Sequence, residues 1–188
     1  MDPLSRRARG EGYRARSVYK LKNINSRYFI LKKNSRVLDL GSYPGSWLQY
    51  CVELECEVIG IDIRDIDKVD GAKFHRIDML TETNKIYKLG KFDVVLSDSA
   101  PKFSGIKEID LQNAFDLNKK SFEIASNVLV NHGTFVCKIF QENEEKTFSL
   151  IKGKFENIRR FKPNAIKKGS SEMFFVCMGY KLKSIQTR

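Results

Sequence analysis

The stretch RVLDLGSYPGSW, residues 36–47, joins a short apolar run to a turn that holds Gly41 and Gly45. The run has the length and composition of a buried strand, and a helix is predicted to begin at Trp47, where the turn ends. Glycine at such a turn lets a ligand approach the backbone where a Cβ atom would collide with it. The stretch indicates a ligand-binding turn, although an ordinary strand-to-helix connection has the same pattern.

The rest of the chain alternates strand-length apolar runs with helix-length polar stretches. Runs as apolar as residues 92–97 and 133–140 are typical of central strands that are buried on both faces of a parallel sheet. The pattern predicts an α/β fold with a seven-stranded, mostly parallel sheet and helices on both faces. The predicted strands are residues 36–40, 57–62, 73–77, 92–97, 133–140, 155–159 and 173–180, and the predicted helices are residues 17–28, 47–54, 82–89, 111–130 and 142–153.

Length and composition limit the possible classes of protein. A chain of 188 residues with 41% apolar residues predicts one domain, residues 1–188, and its longest apolar runs are too short to cross a membrane. Four cysteines without a C-x-x-C pair and two histidines give no support for a metal site. The polar, Arg-rich start is unlike a secretory signal, so we expect an intracellular protein, in the cytoplasm, nucleolus or an organelle.

Positive charge is concentrated at the start of the chain. The formal net charge is +11, and residues 1–36 hold eleven lysines and arginines against two acids. A second basic run covers residues 159–168. Two cationic segments on a chain whose remaining charges nearly balance favour a nucleic-acid phosphate backbone as partner. Basic segments of this kind also bind membranes or acidic proteins, or form an ordinary solvated surface.

Acidic residues follow the first strands of the predicted sheet. Asp62 ends the second strand, at the offset from Gly41 where an acid reaches a ribose hydroxyl in nucleotide-binding folds. Asp78-Met79 follows the third strand and Asp98 the fourth, so these groups line one crevice. Neither a G-x-G-x-x-G turn nor a Walker lysine is present to bind a pyrophosphate. The ligand is therefore predicted to be an adenosine without pyrophosphate, which S-adenosylmethionine fits.

Five motifs in order resemble the FtsJ (RrmJ) family of S-adenosylmethionine-dependent RNA 2′-O-methyltransferases. The similarity runs from about residue 13 to residue 180 and implies a Rossmann-like methyltransferase fold with an antiparallel last strand. One departure is Tyr43-Pro-Gly-Ser46, where the family usually has Ala-Pro-Gly-Gly. The motifs are YRARSVYKL (13–21), DLGSYPGSW (39–47), SDSAP (97–101), FVCKIF (135–140) and SSE (170–172).

The resemblance implies a set of site residues. The family's Lys-Asp-Lys-Glu tetrad falls on Lys20, Asp98, Lys138 and Glu172. The residues expected to bind S-adenosylmethionine are Gly41, Ser42, Pro44, Gly45, Trp47, Asp62, Asp78, Met79 and Asp98.

The tetrad suits transfer to a ribose hydroxyl, because that hydroxyl is a poor nucleophile whose proton must be accepted or stabilised. We predict Lys138 as general base and Asp98 as the group that orients it, with Lys20 and Glu172 positioning the hydroxyl. Burial disfavours the charged form of Lys138 and nearby carboxylates favour it, so the sequence leaves the balance open. No metal is expected to take part.

The run from Ser97 to Gly105 resembles family members that act on large-subunit ribosomal RNA. The resemblance therefore predicts large-subunit ribosomal RNA as the substrate, with uridine as the target nucleotide. We also expect the enzyme to be a monomer. The alternatives are a tRNA 2′-O-methyltransferase and a non-catalytic RNA-binding assembly factor; the absent dinucleotide motif disfavours a nicotinamide-dependent oxidoreductase. Residues 1–30 are expected to form a basic, RNA-contacting segment and helix. The predicted RNA-binding residues are Arg6, Arg7, Arg9, Arg14, Arg16, Arg159, Arg160, Lys167 and Lys168.

Overall fold

A computed structural model describes residues 2–166 and 169–182. Over these residues one sheet has the strand order β3-β2-β1-β4-β5-β7-β6, in which β7 is antiparallel to both of its neighbours. The predicted seven-stranded, mostly parallel sheet with an antiparallel last strand is thus confirmed. The strands are β1 Arg36–Leu40, β2 Glu57–Asp62, β3 Lys73–Arg76, β4 Phe92–Ser97, β5 Leu129–Phe140, β6 Phe155–Phe161 and β7 Glu172–Tyr180.

Helices cover both faces of the sheet. On one face, α2 and α3 bury Leu21 and Leu48 against the strands. On the other face, α4, α5 and α6 contribute Ile86, Ile124 and Ile151. The two apolar clusters explain why the central strands are apolar on both sides. The helices are α1 Pro3–Gly10, α2 Val18–Tyr28, α3 Ser46–Glu53, α4 Thr83–Tyr87, α5 Lys107–Val128 and α6 Glu144–Ile151, with a 3₁₀ turn at Gln141–Asn143.

Several element boundaries differ from the prediction, among them those of α5, β5 and α6. Helix α5 begins at Lys107, inside the predicted loop 102–109, because Asp110 in its first turn accepts hydrogen bonds from the backbone N–H groups of Ser104 and Gly105. Strand β5 begins at Leu129 instead of residue 133, directly after α5 ends. The predicted helix 142–153 is a 3₁₀ turn followed by α6.

Local interactions at its start stabilise the N-terminal helix α1. Asp2 caps it by accepting a hydrogen bond from Ser5 N–H, and Pro3 occupies its first position. Ala8 packs with Tyr13 and Val18 in a small cluster that fixes α1 beside the start of α2. The basic segment is therefore packed onto the body of the protein.

Within the described part of the chain, no helix is both long and apolar enough to span a bilayer. The same residues contain no group of three or more His, Cys, Asp or Glu side chains that would hold a metal ion. All four cysteines are free and buried. Burial raises the pKa of Cys137 to about 12, so this thiol remains protonated at neutral pH.

Candidate active site

Four charged residues meet where the carboxyl end of β5 lies beside the amino end of β7. Lys138 lies two residues before the end of β5, and Glu172 is the first residue of β7, paired in register with Phe140. Asp98 directly follows β4, the other neighbour of β5, and Lys20 lies in the first turn of α2. The parallel sheet brings these residues together although they are up to 152 positions apart in the chain.

Asp98 lies between the two amines. Its Oδ1 is 3.2 Å from Nζ of Lys20 and 3.1 Å from Nζ of Lys138. Lys138 also donates to the backbone carbonyl of Asp98 at 2.7 Å, and Lys20 donates to Oε2 of Glu172 at 3.1 Å. The structure thus brings all four predicted tetrad residues into one network of two amines and two carboxylates.

The environment of Lys20 favours its charged form. Burial acts against the charge, but the carboxylates of Asp98 and Glu172 outweigh it, so the pKa of Lys20 is raised. Its Nζ has three acceptors within reach, namely both carboxylate oxygens of Asp98 and one of Glu172. Lys20 is therefore a permanent ammonium donor at neutral pH.

A pocket of about 220 Å³ opens beside this network. It is lined by Arg16, Ser17, Lys20, Ser170 and Glu172. The side chain of Lys138 is 6% exposed, while those of Asp98 and Glu172 are 17% and 26% exposed. A ligand in the pocket would therefore meet carboxylates and amines that are already oriented by one another.

The turn after β1 packs against the segment that follows β4. Gly41 has φ +76°, and a Cβ atom there would collide with Oγ of Ser99, which donates to the carbonyl of Leu40. The turn closes through a 2.6 Å bond from Gly45 N–H to the carbonyl of Ser42, so the departure from the family's usual Ala-Pro-Gly-Gly leaves a closed turn. This packing places the predicted binding turn next to Asp98.

Asp62 and Asp78 lie at the same edge of the sheet. Asp62 accepts hydrogen bonds from the N–H groups of Tyr43 and Arg64, at 3.0 and 2.9 Å, and so holds the binding turn to the end of β2. Asp78 accepts from Leu80 N–H at 2.8 Å. Both carboxylates keep further lone pairs for a ligand, since each oxygen has two.

Asp39 in β1 is a site residue to which the sequence analysis gave no role. It is 1% exposed, and its Oδ2 has no hydrogen-bond partner among the described residues. Burial, with the nearby carboxylates of Asp98 and Asp62, raises its pKa well above the ordinary value. A buried, unpartnered carboxyl beside two other carboxylates fits a cationic ligand, such as the sulfonium and ammonium groups of S-adenosylmethionine. The signal in the sequence was an acid within an otherwise apolar strand.

Residues 13–180 match the family model for FtsJ-like methyltransferases. The chain belongs to this family. Among similar proteins, the ribosomal RNA large subunit methyltransferase E of Methanosphaera stadtmanae is 37% identical over 93% of this chain and 90% of its own length. The enzyme of the same name from Desulforapulum autotrophicum is 38% identical over 96% and 93%. A ribosomal RNA methyltransferase structure from Plasmodium falciparum superposes with a TM-score of 0.78 and 29% identity, covering 89% of this chain and 98% of that one.

As an FtsJ-like methyltransferase, the protein uses S-adenosylmethionine as its methyl donor. The turn at residues 41–45 and the carboxyls of Asp39, Asp62 and Asp78 are the groups that would hold it. Met79, between Asp78 and α4, packs against the apolar cluster on the α5 face, and its Sδ is 3.9 Å from Oγ of Ser121. This packing fixes the position of Met79 at the edge of the crevice.

Trp47 is buried beside the binding turn. It is 3% exposed, its indole N–H donates to the carbonyl of Ser17 at 2.8 Å, and its ring packs 6.2 Å from that of Phe174. The residue joins α3 to the start of α2, where Lys20 lies. Trp47 therefore joins two parts of the FtsJ-like site, and its contact with the donor stays a prediction.

Arg14, one of the predicted RNA-binding residues, is bonded within the protein. Its guanidinium donates to the carbonyls of Pro44, Asp67 and Lys68 at 3.1, 2.6 and 2.6 Å. Its backbone N–H donates to Gln49 in α3. These bonds join the binding turn to the connection between β2 and β3, so the donors of Arg14 are used within the protein.

The other predicted RNA-binding residues lie in two places. Arg6, Arg7 and Arg9 are exposed on α1, where Arg7 pairs with Glu11. Arg16 lines the pocket beside Lys20 and bonds Asp2. The structure exposes Arg159 and Arg160 on β6, with Arg160 paired to Glu144, whereas Lys167 and Lys168 lie outside the described residues.

We predict that Arg14→Ala weakens binding of S-adenosylmethionine about tenfold, because the loss of the three guanidinium hydrogen bonds releases the binding turn. Isothermal titration with the donor measures this effect. Arg7→Ala, which removes an exposed arginine from the same segment, is the control and should bind the donor normally. The role is contradicted if Arg14→Ala keeps its donor affinity and instead lowers the salt dependence of RNA binding.

Asp39→Asn should weaken donor binding about tenfold or more and stabilise the donor-free protein at neutral pH. The folded pKa of Asp39 lies above its unfolded value, so the wild type loses stability as pH rises from the unfolded pKa through the folded one. The amide has no charge to bury and avoids this loss.

Thermal denaturation between pH 4 and pH 8 measures that difference, which should grow in favour of Asp39→Asn as pH rises. Asp116→Asn on the exposed face of α5 makes the same change of charge and should show no such trend. Equal pH profiles for Asp39→Asn and the wild type would refute the prediction.

Proposed function

We propose that this protein transfers a methyl group from S-adenosylmethionine to a ribose 2′-hydroxyl of large-subunit ribosomal RNA, with Lys138 as general base. The observation that supports it most is the network around Asp98, where two buried amines differ in their hydrogen bonding. The relatives named as ribosomal RNA large subunit methyltransferases favour this RNA as substrate.

The difference between the lysines supports Lys138 as base. Lys138 donates a hydrogen bond to the carbonyl oxygen of Asp98, and its Nζ lies 3.1 Å from Oδ1 of the same residue. A neutral amine has two N–H bonds and one lone pair, so Lys138 in its neutral form would have the lone pair free to accept the hydroxyl proton. The raised pKa of Lys20 suits an ammonium, and when the two oxygens of Asp98 share one of its three N–H bonds and Glu172 takes another, one remains to donate to the ribose.

When bound, S-adenosylmethionine supplies a methyl group that is already activated on a sulfonium. The residues of this chain must therefore orient the ribose oxygen and remove its proton as the new carbon–oxygen bond forms. A general base typically contributes about 10²–10⁴-fold to the rate. Positioning by Lys20 and Glu172 at the pocket supplies a further part, since a fixed orientation replaces a chance encounter.

The exposed arginines suit the RNA backbone. Arg6 and Arg9 on α1 lie on the segment that leads to Arg16 at the pocket, and Arg159 lies on β6 beside β7, the strand that begins with Glu172. Phosphates bound on both sides of the pocket would hold a ribose over the tetrad. Such contacts release counterions, so affinity should fall steeply with salt.

The substrate is tested with total RNA from cells that lack this enzyme, methylated by the purified protein with a labelled donor. We expect the label in large-subunit ribosomal RNA, at a ribose whose 3′ linkage resists alkaline cleavage. Label in tRNA would replace the proposed substrate. RNA binding without label would support a non-catalytic assembly factor.

Lys138→Met should lower methyl transfer by at least about 10²-fold, because no base remains. Its affinity for donor and RNA should stay within about twofold of the wild type, as measured by titration, since the change removes a buried group away from the exposed arginines. Lys91→Met, an exposed lysine at the amino edge of the sheet, is the control and should react normally.

Lys138→Arg separates a base from a structural partner of Asp98. Arginine keeps the positive charge and the donors but does not lose its proton in proteins. We expect no recovery of methyl transfer in this variant. Substantial activity in Lys138→Arg would overturn the assignment of the base.

Arg6→Ala combined with Arg9→Ala should weaken RNA binding and lower the slope of log affinity against log salt by about 1–2, given roughly 0.7–0.9 per phosphate contact. Filter binding at several salt concentrations measures the slope. Lys33→Ala with Lys91→Ala removes the same charge from the opposite edge of the sheet, so an equal fall in slope there would argue against a phosphate contact at α1.

A further inference from the structure

An exposed aromatic residue lies on the loop between β4 and α5, close to the tetrad. Phe103 is 58% exposed, and its ring meets that of Phe140 edge to face at a centroid distance of 6.1 Å. Phe140 ends β5, two residues after Lys138, so both side chains point to the same face of the sheet. Two residues along a strand span about 7 Å, so the aromatic pair lies about that far along the strand from Lys138.

A second pocket, of about 310 Å³, opens between this pair and the start of α5. Ser171 lines it, and the next residue, Glu172, lines the pocket at Lys20. The two pockets are therefore neighbours on either side of the chain that enters β7. A ribose in the first and a base in the second would belong to adjoining parts of one RNA strand.

The charges of the second pocket suit a neutral ring. Lys107 is paired with Glu142 at 3.4 Å across the pocket, and Asp110 is the other charged residue that lines it. A phosphate would meet two carboxylates and one cation that is already paired. A nucleobase carries no charge and has edges that can bond to Ser171 or to the carboxylates.

The loop that carries Phe103 has internal bonds that fix it. Asp110 accepts from the N–H and hydroxyl of Ser104 at 2.6 and 2.8 Å and from the N–H of Gly105 at 3.1 Å. Ile106 N–H donates to the hydroxyl of Ser104. The exposed ring of Phe103 therefore lies on a loop that internal hydrogen bonds hold in place, which lowers the entropic cost of stacking a ligand on it.

We propose that Phe103, backed by Phe140, is a stacking platform for an RNA base at or next to the methylated nucleotide. The inference rests on the proposed function, and it deepens it by assigning a base site beside the ribose site. Stacking of a base on an aromatic side chain tolerates any base, because every base has a π face. The platform thus orients the strand without reading its sequence.

Fluorescence tests the platform without requiring turnover. Trp47 is the sole tryptophan and is buried, so Phe103→Trp adds one exposed indole. An unmodified in vitro transcript of large-subunit ribosomal RNA should quench this indole by stacking. Phe29→Trp is the matched control, because Phe29 is 73% exposed at the far end of α2, and it should not be quenched.

Kinetics give the second readout. Phe103→Ala should raise KM for the RNA about tenfold, with donor affinity and melting temperature unchanged, and Phe103→Trp should keep the wild-type KM. Phe29→Ala should behave as wild type. A wild-type KM in Phe103→Ala, or equal quenching at positions 103 and 29, would overturn the platform.

The two proposals fail in different ways. If the wild type methylates no RNA, the proposed function fails, while quenching in Phe103→Trp still reports on the base site. If methylation is normal and naked RNA leaves the indole unquenched, the base site fails alone. Quenching by assembled subunits that persists after digestion of their RNA, with none by the transcript, would assign the surface to a ribosomal protein and also overturn the platform.

Discussion

The carboxylate of Asp98 is the contact on which the active site depends. One of its oxygens lies about equally far from two amines, at 3.2 Å from Lys20 and 3.1 Å from Lys138. Buried amines and carboxylates are stable only when they are paired and hydrogen-bonded, so neither lysine would keep its position without this carboxylate. The network in turn requires that α2, β4, β5 and β7 meet at one edge of the sheet. The order of strands is what allows them to do so.

The antiparallel β7 has a specific part in this arrangement. Because β7 lies between β5 and β6 and runs opposite to both, its amino end reaches the edge where the carboxyl ends of β4 and β5 lie. Glu172, its first residue, therefore joins the network at Lys20. A parallel strand in the same place would bring its last residues there instead, and this carboxylate would lie at the opposite edge.

The N-terminal segment links the donor site to the proposed RNA site. Arg14 holds the binding turn through the carbonyl of Pro44, and Trp47 in α3 donates to Ser17, three residues before Lys20. The same segment carries the exposed arginines of α1. Bonds to the donor-binding turn thus determine the position of this segment. This explains why Arg14, one of its basic residues, donates to carbonyl groups of the protein itself.

The sequence by itself determined the fold and the tetrad. Alternating apolar runs predicted the strands, since a strand buried on both faces must be apolar throughout, and ordered motifs placed Lys20, Asp98, Lys138 and Glu172 in one site. Tertiary structure decided which positive charges were available to bind RNA. Arg14 and Arg6 have the same charge in a sequence, and only the folded chain brings three carbonyls to the one and leaves the other exposed. The packing of Phe103 against Phe140 and the unpartnered oxygen of Asp39 likewise depend on contacts between distant segments, which residue type and spacing do not encode.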